Sequence, residues 1–176
     1  MNRVVLVFIL GLAIGLSGCA KHEKRNVSPY TKTVLLGTWF WDVESNKQGQ
    51  QSDTVDFWWE HVSHAERCLV PMNGALAKVV PGGKFDKITP AFIKGQDLSS
   101  GRISGSDKDG LLTTGTVVVF RTAEGNLGKL QVERYWAKHD FSFPEAKYLS
   151  RDWKRFVLQR PNTEMYHLQV RWQLFK

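Results

Sequence analysis

Val117-Val118-Val119-Phe120, a turn region from Ala123 to Gly128, and Leu130-Gln131-Val132 make up the stretch whose reading decides the fold. β-Branched and aromatic residues fit a pleated, half-buried surface, and two such runs joined by a glycine-containing turn predict an antiparallel hairpin. Toward the C-terminus, Trp136 to Arg160 is a charged, aromatic-rich interruption in which Phe143-Pro144-Glu145 opens a short helix. A second hairpin is expected from Phe156-Val157-Leu158-Gln159 and Met165 to Phe175, turning at Pro161-Asn162-Thr163. In that last strand Leu168, Val170, Trp172 and Leu174 alternate with His167, Gln169, Arg171 and Gln173. Period two sends the first set to the core and the second to solvent.

Upstream of the hairpin, Val34 to Val43 reads as one strand, with Trp39, Trp41 and Val43 inward, followed by a polar loop from Ser45 to Ser52. Thr54 to Trp59 has two readings. Val, Phe and Trp at period two favour a strand, whereas Asp53 and Asp56 would cap a helix carrying Trp58, Val62 and Ala65 on one face. Asn73-Gly74 and Pro81-Gly82-Gly83 are turns around the apolar stretch Ala75 to Val80. Thr89-Pro90 supplies an N-cap and a proline at the first helical position, for a short helix through Phe92 and Ile93 that Gly95 ends. Asp107-Lys108-Asp109-Gly110 matches part of a calcium loop but has no acidic residue at the closing position, and reads as a turn. The expectation is mainly β: an antiparallel β-sandwich or open barrel with one or two short helices, in a single domain over residues 34–176.

The first residues are of another kind. One positive charge, Arg3, precedes an apolar run from Val4 to Leu16, too short for a bilayer-spanning helix, and then Leu16-Ser17-Gly18-Cys19. This resembles the lipobox of bacterial lipoproteins. The resemblance implies a signal peptide over residues 1–18, lipid on Cys19 and a mature chain that starts there. Ala20, where an aspartate would commonly retain such a protein at the inner membrane, implies the outer membrane. Residues 19–33 are then a lipidated, flexible tether whose Lys21, Lys24 and Arg25 suit anionic headgroups.

Two further resemblances concern the folded part. Leu35-Leu36-Gly37-Thr38-Trp39-Phe40 is similar to the Gly-x-Trp start of lipocalins, although Asp42 departs from that signature. Arg121-Thr122, Gly125 and Lys129-Leu130 resemble the late hairpin of HmuY-type haem-binding lipoproteins, without ligand residues. Both imply a carrier of haem or another hydrophobic small ligand.

The formal charge of +7 is spread along the chain with no arginine-rich block, which fits solubility and attraction to anionic lipid rather than nucleic-acid binding. With Cys19 lipidated, Cys68 has no partner for an intramolecular disulfide. His61, His64 and Cys68 stand at i, i+3 and i+7, metal-ligand types that would share a helical face, but Cys68-Leu69-Val70-Pro71 reads as strand entry, so no metal site is favoured. Gly-x-Ser-x-Gly, His-Glu-x-x-His and a phosphate-binding glycine loop are all absent from the sequence, and no enzyme or cofactor is expected. Seven tryptophans suggest aromatic platforms for glycan or peptidoglycan, with Trp58, Trp59, Trp136 and Trp153 as candidate exposed aromatics. The expected function is a membrane-anchored, non-catalytic envelope module that binds a partner protein or a small ligand.

Overall fold

The computed structural model describes residues 30–63, 65–106, 110–159 and 165–175. Two antiparallel five-stranded sheets face each other across a shared core. The first sheet runs β1 (Thr31–Leu35), β10 (Met165–Phe175), β9 (Leu127–Ala137), β8 (Val117–Arg121) and β6 (Leu76–Val80). The second runs β3 (Lys47–Gly49), β2 (Phe40–Asp42), β4 (Phe57–Ser63), β5 (Glu66–Pro71) and β7 (Ile103–Ser104). They do not close into a barrel, and two facing antiparallel sheets are the expected sandwich arrangement.

Alternation explains the core. Val118, Phe120, Leu130, Val132, Leu168 and Val170 point inward from the first sheet, and Trp41, Phe57, Trp59 and Leu69 from the second. Trp41 meets Trp172 edge-on at 5.4 Å between centroids, and Phe57 meets Phe120 at 5.3 Å. These rings fill the space that a barrel carrier would leave for its ligand.

The outer face of the first sheet carries two smaller apolar clusters. A 3-10 turn (Phe85–Lys87) and helix α1 (Pro90–Lys94) cover Val117 and Val119. Thr89 caps α1 as expected, its hydroxyl accepting from the Phe92 N–H. At the other end, a 3-10 turn (Pro144–Tyr148) and helix α2 (Arg151–Gln159) cover Val34, Leu36 and Trp136. Between the patches runs a polar ladder. Lys32 pairs with Glu133 at 2.7 Å, Gln169 donates to Glu133, and Arg171 donates to Gln131.

Four expectations change. Val34 to Val43 is two strands, because the chain leaves the first sheet after Leu35 and joins the second at Phe40. The first strand begins at Thr31, inside the expected tether. The polar loop after Val43 contains an edge strand, β3. The run Phe156 to Gln159 belongs to helix α2, not to a hairpin, and β10 pairs with β9 and β1 instead. Ser150 accounts for the helix start, its hydroxyl accepting from the Trp153 N–H. The turn expected at residues 161–163 lies outside the described residues, as do Asp107 to Asp109. No helix among the described residues is long and apolar enough to cross a membrane.

Candidate functional site

A two-sheet sandwich has open edges, and an edge strand presents unpaired backbone groups. Strand β1 is such an edge, and three side-chain bonds close it. Gln48 of β3 accepts from the Leu36 N–H at 2.7 Å and donates to the Val34 carbonyl at 2.8 Å. Glu145, from the 3-10 turn, accepts from the Val34 N–H through Oε1 at 3.0 Å. The two side chains thereby tie β3 and the 144–148 turn to β1 and frame a cavity of about 400 Å3. Thr33, Asn46, Lys47, Gln48, Glu145 and Tyr148 line it.

Its floor is fixed from below. Asn46 adopts φ 50°, a left-handed conformation that asparagine tolerates in tight turns. Its Oδ1 accepts from the Thr33 hydroxyl at 2.9 Å and from the Trp41 indole N–H at 3.2 Å. Thr33 Oγ1 accepts from the Trp172 indole N–H at 3.0 Å. Both core tryptophans therefore hold the polar floor in one geometry. One polar atom of the site stays unmatched: Glu145 Oε2 is buried without a hydrogen-bond partner among the described residues. Tyr148, at the rim, is 61 % exposed.

The expected site residues are arranged differently. His61 and Cys68 lie on neighbouring strands of a hairpin rather than on a helix. His61 faces inward with Arg67, its ring 4.3 Å from that of Tyr166, while Cys68 faces outward opposite Glu60, which pairs with Arg102. Period two thus separates them to opposite faces, and His64 lies outside the described residues.

None of the four candidate tryptophans is exposed. Trp59 is a core residue, 1 % exposed, whose N–H donates to the Tyr166 carbonyl at 2.9 Å. Trp58 stacks on Phe40 at 5.4 Å. Trp136 donates to Gln169 under the Arg134 guanidinium, and Trp153 packs on the second cluster against Phe141. The exposed aromatic beside a cavity is Tyr148, which composition did not single out.

Two other polar clusters are internal ties. Asp56 is fully buried and accepts from the N–H groups of Val43 and Ala123, linking the second sheet to the β8–β9 turn. Burial pushes its carboxyl up to about 7, with the adjacent Glu44 acting in the same direction. Glu44 is lowered, since hydrogen bonds from Thr122, Asn126 and Asp56 outweigh its own burial. The hydrogen bond between the two carboxyls therefore favours the proton on Asp56 and the charge on Glu44. Asp42 completes an acidic trio whose oxygens lie within 4.8 Å of one another. His167, expected to face solvent, is fully buried and accepts the Gly37 N–H on Nδ1 at 3.0 Å. Burial, then neighbouring His61, lowers its pKa to about 3, so the ring is neutral with its proton on Nε2.

No protein-family model, curated protein or solved structure matches this chain.

Proposed function

We propose that this protein is a lipid-anchored lipoprotein of the bacterial cell envelope, at the outer membrane, whose β-sandwich is a non-catalytic binding module. The observation that carries the anchoring is Leu16-Ser17-Gly18-Cys19 behind one basic residue and a short apolar run. Strand β1 starts at Thr31, so a short polar segment joins the acylated cysteine to the fold. Two or more acyl chains hold such a protein stably where a single chain does not. Support for binding rather than catalysis comes from the edge cavity, which has a hydrogen-bonded frame and, among the described residues, is lined by one carboxylate, Glu145, and by no histidine, cysteine or serine.

Replacing Cys19 with Ser in the full-length chain should abolish labelling by radioactive palmitate and release the protein from the membrane fraction. A Cys19→Ser protein that stays labelled and sediments with membranes refutes the anchoring.

A further inference from the structure

We infer that the edge cavity framed by Gln48 and Glu145 binds a pyranose ring of a glycan, with Tyr148 as the stacking platform. The inference deepens the binding-module reading and rests on it. All six of the described residues that line it carry a hydrogen-bonding side chain, and Tyr148 adds an aromatic ring. That mixture suits a ligand with hydroxyl groups around its rim and a C–H face. The volume, about 400 Å3, lies in the range of roughly 300 to 1,000 Å3 usual for small-ligand pockets.

The unmatched atom points the same way. Glu145 Oε1 is occupied by the Val34 N–H, while Oε2 is buried and unpaired. A buried carboxylate oxygen without a donor is costly, and a turn of the Glu145 side chain toward the cavity it lines would bring Oε2 within reach of a sugar hydroxyl. Asn46 and Lys47 also line the cavity and carry N–H donors for hydroxyl or ring oxygens. Tyr148, largely exposed at the rim, offers an aromatic surface for the apolar face of the ring. A peptide strand is a poor occupant, because side chains already satisfy the Val34 and Leu36 backbone groups that it would pair with. The hydrogen-bonded frame makes the site pre-organised, so little ordering is required on binding.

The test uses the full-length protein in detergent, with chitotriose and maltotriose as separate probes and saturation-transfer difference NMR as readout. At least one sugar should receive saturation from the protein. Its affinity should fall by about tenfold or more in both Tyr148→Ala and Glu145→Gln, the loss expected of one charge-assisted hydrogen bond or one stacked ring. Glu145→Gln keeps an oxygen for the Val34 N–H, and Tyr148 is exposed, so a circular-dichroism melt of each variant should match wild type. Absence of transfer to either sugar overturns the inference, as does binding that both substitutions leave intact. Palmitate labelling of the wild-type chain, with Cys19→Ser in parallel, separates the two readings: a wild-type chain that binds sugar but takes no label at Cys19 refutes only the anchor, and one that is labelled but binds no sugar refutes only the ligand.

Discussion

Gly37 shows how much one residue can decide. It sits where the chain passes from the first sheet to the second, donates its N–H to His167, and lies directly under the Tyr166 ring. A Cβ built there would stand 2.1 Å from Tyr166 Cε1. The ring cannot retreat easily, since the Tyr166 carbonyl is held by Trp59 and the ring itself packs 4.3 Å from that of His61. Gly37→Ala should therefore cost about 1 to 3 kcal/mol in urea unfolding, the usual penalty of overpacking. Gly49→Ala is the control: nothing lies within 4 Å of its added methyl, and the change should stay within about 0.5 kcal/mol. An equal response at the two sites would show that Tyr166 does not confine the bend. Gly37-x-Trp39 thus acts here as the sheet-to-sheet bend, a role visible only once Tyr166 and His167 are in place.

Among the elements, β10 carries the first sheet. It pairs with β1 on one side and β9 on the other, and buries Leu168, Val170 and Trp172. Trp172→Ala should cost about 3 to 5 kcal/mol by chemical denaturation, and deletion of residues 166–176 should leave no cooperative unfolding transition. Gln173→Ala should change stability by less than about 0.5 kcal/mol. Gln169→Ala should cost more, because its amide bridges the Trp136 N–H and Glu133. A truncated chain that melts like the full one would place β10 outside the core. The β8–β9 hairpin and β10 were legible because alternation and turn chemistry agree within a few residues. The two strands within residues 34–43 were not, since apolar alternation runs on through the bend. Helix α2 was missed because Phe156 to Gln159 is strand-like in composition. What makes it helical is the Ser150 cap and the docking of Trp153 onto a patch built from β1 and β9.

For the whole molecule, two buried titratable groups oppose each other. Asp56 keeps its proton up to about pH 7, whereas in the unfolded chain it ionises near 4. Between those values the native state binds more protons, so its contribution to stability falls as pH rises. His167 stays neutral down to about pH 3, while the unfolded histidine protonates near 6.5. Here the unfolded state binds more protons, and stability falls as pH drops below about 6.5. The groups around His167 are His61, Lys138 and Asp140, and those around Asp56 are Glu44 and Asp42. Wild type should therefore show a shallow stability profile from pH 4 to 6.5. Asp56→Asn should lose stability on acidification over that window, by up to about 1.4 kcal/mol per pH unit. His167→Gln should show the reverse slope. Urea titrations at four pH values measure both, and parallel profiles for the three proteins would refute the opposition. By itself the sequence determined the β class, the hairpin, the last strand, the capped helix α1 and the expectation of a lipid anchor, because each rests on neighbours within about ten residues. Only the tertiary structure decided which tryptophans are buried, that His61 and Cys68 face apart, and that Gln48 and Glu145 meet at the edge of β1. Those facts depend on residues up to 139 positions apart, brought together by sheet pairing and burial, which no local pattern encodes.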